Sequence, residues 1–346
     1  MMLIWILPVL VAGFVLSYVG TGIVRRMAVR RAMMDIPGAR SSHERPTPRG
    51  GGAAFSILLL LAVTGCLIAG APHKGVWIAL LGGGTLVAVV GWLDDRFDLS
   101  SYVRLGLYAA AAVWSAAWLQ GFPVLSLGFA DLRLGWVGYP FSWAVILAFT
   151  NIYNFMDGID GLAAGEGASV SLVAGALLLL VGEPHIGWLL LGLAVLLLGF
   201  LRWNWHPAKV FMGDVGSNLL GFTFATLALA TGRISAISVW VWACLLGVFL
   251  VDGFLTFSRR LAHGLPPHQA HRTHAYQGAV QMGYSHAQTT SVILVLNGVL
   301  AGVGYVILRM PQWAMGLTFV AWGILTILHV RYSPLGRSKK DSPGAR

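Results

Sequence analysis

Charge is what this sequence has least of. Asp, Glu, Lys and Arg together make up 10% of its 346 residues, while apolar residues make up 57%. A soluble domain carries about 25% charged and about 45–50% apolar residues. So few charges cannot cover the surface of a 37.0 kDa water-soluble globule, and the mean hydropathy of +0.75 agrees. A soluble enzyme and a disordered chain are both excluded. Cysteine is nearly absent as well. Cys66 and Cys244 both lie in apolar runs and supply neither a disulfide framework nor metal-binding spacing. Acids are scarcer than bases, 13 against 23, for a net charge of +10 and a pI near 10.1. In a soluble chain that balance would point to nucleic acid. Here it points to basic loops on the inner side of a membrane, with no nucleic-acid partner. Nothing basic precedes the first apolar run, so no cleavable signal peptide is expected. No fixed-period repeat is evident.

Apolar runs, by contrast, are abundant. A spanning helix needs about 20 mostly apolar residues. Eleven candidates lie near 3–23, 52–70, 75–93, 103–120, 139–156, 168–182, 186–202, 216–231, 236–257, 287–308 and 313–331. The expected fold is an all-α polytopic membrane protein. It has one integral-membrane domain over 1–335 and a basic cytoplasmic tail at 336–346. The turn Gly182-Glu183-Pro184 joins the sixth and seventh spans. The alternating segment 121–138 reads as a small β-hairpin or an interfacial segment.

With eleven spans, nineteen of the 23 basic residues fall on one side, which is therefore cytoplasmic; the N-terminus is periplasmic and the C-terminus cytoplasmic. Eleven of the 13 acids fall on that same side. Topology does not require this, since acids contribute little to orientation. Carboxylates gathered at one membrane face point to chemistry.

Five segments on that face carry it. Asp94 and Asp95, followed by Asp98, end the third span; adjacent carboxylates at a membrane boundary repel each other and need a metal, a cation or solvent. In Asn151-Ile-Tyr-Asn154-Phe-Met-Asp157-Gly-Ile-Asp160-Gly, a spacing of three puts Asn151, Asn154 and Asp157 near one helix face. Amide oxygens and carboxylates are hard ligands, suited to Mg²⁺ rather than zinc. In the third segment Gly213 and Gly216 bracket Asp214 and allow close backbone approach. Asp214 suits a metal or a helix N-cap, and Lys209 suits a phosphate. The loop 258–286 holds His268, His271, Arg272 and His274. No Cys or Glu lies nearby to complete a zinc site, so these read as donors for a phosphate-bearing substrate. The first cytoplasmic loop is cationic through Arg40, His43, Arg45 and Arg49, and its Gly50-Gly51-Gly52 run predicts close backbone packing. Together they describe one inner-face site suited to Mg²⁺ and a diphosphate. There is no P-loop or kinase signature, so a lipid acceptor fits better than ATP hydrolysis.

DDRFD at 94–98, NIYNFMDGIDGLAAGEG at 151–167 and VFMGDVGSN at 210–218 resemble the polyprenyl-phosphate N-acetylhexosamine-1-phosphate transferases, glycosyltransferase family 4; PGARSSHERPTPRGGG at 37–52 supports the likeness. The resemblance implies a Mg²⁺-dependent phosphoglycosyl transferase, with Mn²⁺ as the alternative ion. It would move N-acetylhexosamine 1-phosphate from a UDP-sugar to undecaprenyl phosphate and release UMP, in the inner membrane among its lipids. That is the initiating step of O-antigen or another cell-envelope polysaccharide. It leaves a homodimer open. It implies Asp214 and Asn154 as metal ligands, Asp94 and Asp95 as acceptor-side carboxylates, and Asp157 and Asp160 as site carboxylates that hold Lys, Arg or nucleotide groups. His271, Arg272 and His274 resemble the loop that contacts donor phosphates, with Asn151, Arg49, Lys209 and His43 in support. Whether an aspartate forms a covalent intermediate is open at this stage. The peptidoglycan branch, the phospho-N-acetylmuramoyl-pentapeptide transferases, carries consecutive histidines where this chain has His271-Arg272-Thr273-His274. The chain therefore points to the O-antigen-initiating branch, whose donor is UDP-N-acetylglucosamine or a 6-deoxy sugar such as N-acetylfucosamine or N-acetylquinovosamine. The rival from another class is an ion-coupled transporter. It predicts acids in mid-span and on both faces, and only Asp252 falls inside an expected span.

Overall fold

The computed structural model describes residues 2–37, 45–234, 237–266 and 271–335, the side chains from residue 6 onward. His43, His268 and the tail 336–346 lie outside the described residues. The helices are α1 (Met2–Arg30), α2 (Ala53–Ile68), α3 (Lys74–Phe97), α4 (Ser101–Trp118), α5 (Gly138–Phe155), α6 (Leu162–Leu180) and α7 (Pro184–Asn204). They continue with α8 (Asp214–Ile234), α9 (Val239–Leu245), α10 (Gly247–Ala262), α11 (Ala275–Gln281), α12 (His286–Arg309) and α13 (Ala314–Tyr332). Each of the eleven expected spans is helical. Seven described helices are long and apolar enough to cross a membrane alone: α1, α3, α6, α7, α8, α12 and α13. The pair α9 and α10, bent by 79° at Leu246, makes an eighth when taken as one broken span. The remaining three, α2, α4 and α5, have 16 to 18 residues each and fall short by length or composition.

Helix α8 is the axis of the molecule. It packs on α3 and α5, and every residue from Val215 to Thr231 is buried. Its small residues explain this. Helices in lipid gain little from hiding apolar side chains and associate through close backbone packing. At Gly216 the helix meets Gly52 backbone to backbone, and a Cβ on Gly52 would stand 2.7 Å from the Gly216 Cα. The glycine run before α2 therefore packs as the sequence leads one to expect. The outer helices keep apolar side chains exposed, among them Val295 on α12 and Ile327 on α13.

The sheets are small. The 121–138 segment is a hairpin, β3 (Val124–Ser126) antiparallel to β4 (Asp131–Arg133). A second pair in the first loop, β1 (Met34–Asp35) with β2 (Thr47–Pro48), was not foreseen. The sixth span starts at Leu162, six residues before its expected start at 168. Glu166, counted with the acids of the membrane face, is thus inside α6 and fully buried. The turn after it behaves as expected: Gly182 has φ +86° and Pro184 is the first residue of α7, where its missing N–H costs nothing.

Candidate active site

The end of α3 and the start of α8 lie side by side, because Gly91 leaves room for the Asp214 backbone. This contact resolves the two adjacent carboxylates by giving them different partners. Asp95 accepts the backbone N–H of Asp214 at 3.0 Å and of Val215 at 3.2 Å, so it caps α8 from another helix. The unpaired N–H groups and partial positive charge of a helix N-terminus favour a carboxylate there. Gly213, at φ +75°, makes the approach feasible; a Cβ would collide with the Asp95 carboxylate. Asp94 turns instead to Arg104, whose Nη1 stands 2.5 Å from Asp94 Oδ2 and 2.9 Å from Asp214 Oδ2. One guanidinium therefore bridges the carboxylates at the end of α3 and the start of α8.

Asn154, in the last turn of α5, donates from Nδ2 to Asp214 Oδ1 at 3.0 Å and to Ser217 Oγ at 2.8 Å. Beyond it the chain turns through Asp157 and Asp160 to Gly161 and into α6. Asn204 holds this turn: its Oδ1 accepts from Gly161 N–H and its Nδ2 donates to the Val210 carbonyl. A cavity of about 270 Å³ results, lined by Arg49, Asn154, Asp95, Asp157, Asp160 and Asp214, with Asp35, Asn204, Phe211, Gln277 and His286 among the rest of its wall.

The two turn carboxylates sit in opposite environments. Asp157 accepts no hydrogen bond from the described residues. Burial, with Asp214, Asp95 and Asp160 nearby, pushes its carboxyl well above the usual range. Burial acts the same way on Asp160, but hydrogen bonds from His286 and His206 outweigh it and hold Asp160 below its ordinary value. His206 Nδ1 lies 2.6 Å from one Asp160 oxygen and His286 Nδ1 3.3 Å from the other, and Ala208 N–H also donates to the carboxylate.

The cavity thus gathers Asp95, Asp157, Asp160, Asp214, Asn154 and Arg49, with Asp94 attached through Arg104. Arg49 also pairs with the exposed Asp98 at 2.7 Å. Other expected residues stand apart. The Asn151 amide donates to Leu147 O one turn back and does not line the cavity. Lys209 places its ammonium over the Trp203 ring, 5.9 Å from the centroid, beside Arg25. His271 and His274 stack on each other at 5.0 Å, outside the cavity wall, and Arg272 is not part of that wall either. His274 faces Asp252 at 3.2 Å, and Asp252 caps α11 by accepting from Ala275 N–H. Helix α11 then reaches the site: Tyr276 donates to Phe155 O at 3.0 Å, and Gln277 lines the cavity. Burial, with His274 and Arg260 close by, pushes the His271 imidazole down to about 3.

Sequence reasoning missed Arg104, His206, His286, Asn204 and Gln277 as site residues. Arg104 was visible only as a basic residue near a span end. His206 was visible only as the first residue of the third motif. His286 carried no signal, being 126 residues from its partner Asp160.

The donor set fits a hard divalent cation. Carboxylates outnumber cations in the cavity wall, the Asp157 carboxylate has no hydrogen-bond partner among the described residues, and Asn154, with its N–H groups spent on Asp214 and Ser217, keeps its amide oxygen for another ligand. The grouping Asp160, His206 and His286 brings three potential ligand atoms within 4.8 Å, but the carboxylate already pairs with both imidazoles and accepts a backbone N–H.

Residues 77–232 match the family model "Glycosyl transferase family 4". The chain is 31% identical over 293 residues to a probable undecaprenyl-phosphate N-acetylglucosaminyl 1-phosphate transferase of Bacillus subtilis, covering 84% of this chain and 81% of that one. It is 28% identical to the undecaprenyl-phosphate alpha-N-acetylglucosaminyl 1-phosphate transferase of Salmonella typhi, over 99% of each. It is 30% identical to a decaprenyl-phosphate N-acetylglucosaminephosphotransferase of Mycolicibacterium smegmatis, over 91% and 86%.

Proposed function

The chain belongs to glycosyl transferase family 4, and we propose that it transfers N-acetylhexosamine 1-phosphate from a UDP-sugar to undecaprenyl phosphate. The observation that carries this reading is the cavity where Asp95, Asp157, Asp160 and Asp214 converge with Asn154 and Arg49. In the reaction, an oxygen of the lipid phosphate attacks the phosphorus attached to the sugar. The bond from that phosphorus to the bridging oxygen breaks, and the electron pair leaves with UMP.

Asp214 and Asn154 would hold the divalent ion, Mg²⁺ or Mn²⁺, which when bound offsets the charge of the diphosphate and of departing UMP. Asp94 is the acceptor-side carboxylate, and Arg104 fixes it in place beside Asp214. Asp95 holds the start of α8, and so Asp214, in register. Arg49 is the cavity's guanidinium, placed for a phosphate. His271, Arg272 and His274, outside the cavity wall on the α11 side, are carried by the family resemblance as contacts for the donor phosphates, as are Asn151, Lys209 and His43 as supporting groups.

The donor is a UDP-N-acetylhexosamine. UDP-N-acetylglucosamine is favoured because the relatives above are named for it. None of these three is a pentapeptide transferase, so the peptidoglycan alternative is set aside. The transporter reading is set aside too, because the acids meet in one cavity rather than along a path. By the distribution of basic residues the site faces the cytoplasm in a bacterial inner membrane. The product would start O-antigen or a related envelope polysaccharide. The test is purified protein with undecaprenyl phosphate and a panel of UDP-sugars, reading UMP release and the mass of the lipid product. Preferential turnover of UDP-N-acetylglucosamine is expected. Equal turnover of all donors would remove the donor assignment, and no UMP from any donor would remove the reaction.

A further inference from the structure

One turn into α6 and outside the cavity wall, Glu166 is fully buried with no cationic partner among the described residues. Asn297 of α12 donates from Nδ2 to Glu166 Oε2 at 2.6 Å and to Ser169 Oγ at 3.1 Å. Two acceptors in the same spot are left over: Glu166 Oε1 and Asn297 Oδ1 have no hydrogen-bond partner among the described residues. An ionised carboxylate would be unpaired in a medium where charge is costly, and both oxygens would be orphaned. A single proton on Oε1 removes all three problems. The carboxylic acid then donates to Asn297 Oδ1 while the amide donates to Oε2, closing a two-bond ring between acid and amide.

We propose that Glu166 is protonated in the working protein and that this acid–amide pair with Asn297 is a positioning device for the cavity above it. Position in the fold gives it that role. Helix α6 begins right after the turn bearing Asp157 and Asp160, and α12 begins at His286. At the cavity the same two segments meet again, through His286 Nδ1 at 3.3 Å from Asp160 and through Thr290, which donates to the Asp160 carbonyl at 3.0 Å. The buried pair thus fixes how far apart α6 and α12 stand, and with it where Asp160 and His286 sit. Asp160 and His286 line the cavity; Glu166 and Asn297 act through them.

The positioning role rests on the transferase reading, but the protonation does not, so two separate measurements are used. The first is the infrared difference between wild type and Glu166→Gln at neutral pH, in detergent and without substrate. It should show loss of the C=O stretch of a neutral carboxyl group; loss of carboxylate bands instead would overturn the protonation. The second is kinetic, on variants that elute as monodisperse protein and at a temperature where they remain folded. Glutamine carries the same donor and acceptor pattern, so Glu166→Gln should stay within about twofold of wild type, whereas Glu166→Ala should lose about tenfold in kcat/KM. Asn297→Ala should match Glu166→Ala, and the double variant should lose no more than either. Equal damage from Gln and Ala, a fully active Glu166→Ala, or additive losses would overturn the positioning role.

Discussion

The bridge at Arg104 makes the sharpest quantitative demand on the site. Its Nη1 lies within hydrogen-bond reach of both Asp94 and Asp214, and its side chain is 31% exposed against 10% and 22% for the two carboxylates. Two opposite charges about 4 Å apart attract by about 4 kcal/mol at an effective dielectric constant of about 20. A guanidinium one-third open to water retains less, about 1–2 kcal/mol per pair. Arg104→Met therefore removes about 2–4 kcal/mol of charge pairing and leaves two carboxylates facing each other. If half of this bears on the transition state, kcat/KM falls between about fivefold and thirtyfold. The assay is UMP release at saturating undecaprenyl phosphate, repeated across a Mg²⁺ titration. The titration separates two roles. Arg104 competes with a cation for Asp214, so its loss should leave the metal concentration at half-maximal activity unchanged or lower while the maximal rate drops. A variant within twofold of wild type would refute the bridge's part in catalysis. A higher metal requirement would refute the competition.

Two further outcomes follow from the same geometry. Gly213→Ala forces a residue with a Cβ to φ +75° and drives it into the Asp95 carboxylate, so the cap on α8 is lost; thermal unfolding in detergent should show a loss of about 1–3 kcal/mol, and an unchanged midpoint would contradict the cap. His271 is held at about 3 in the folded protein, against about 6.5 in an unfolded chain. The folded state keeps it neutral and the unfolded state takes up the proton first, so its contribution is complete above about pH 6.5 and declines as pH falls toward 3. The unfolding midpoint of wild type should drop over that window more than that of His271→Gln; parallel profiles would show that His271 is not responsible.

Much of the site was legible because its chemistry is expensive in lipid. Asp94, Asp95, Asp157, Asp160 and Asp214 stand out in a chain with 13 acids, and a carboxylate kept at a membrane boundary needs a reason. What each carboxylate faces was not legible. The pairings of Asp94 with Arg104, Asp95 with the start of α8, and Asp160 with His286 depend on how helices dock. They join residues 10, 119 and 126 positions apart. Local spacing encodes helix faces, and it carries nothing about which face meets which.

Two features escaped the sequence for opposite reasons, and the first is that apolar periodicity is blind where everything is apolar. The bend of 79° between α9 and α10 falls at Leu246 and Gly247, with apolar residues on both sides from Val239 to Val251 and no proline to mark it. The start of α6 was displaced for the converse reason. Gly165-Glu166-Gly167 looks like loop, since glycine and an acid disfavour a spanning helix. In this fold those features are requirements. Gly167 leaves space beside Tyr153 and Leu197, and Glu166 meets Asn297. A protonated Glu is no longer a charge, so the reading of acids as markers of the membrane face holds for ionised carboxylates and fails for a neutral one. The other acids among the described residues obey the rule of costly charge by finding solvent, a cation or imidazole, a helix N-terminus or the shared cavity; on the proton assignment above, Glu166 obeys it by giving the charge up.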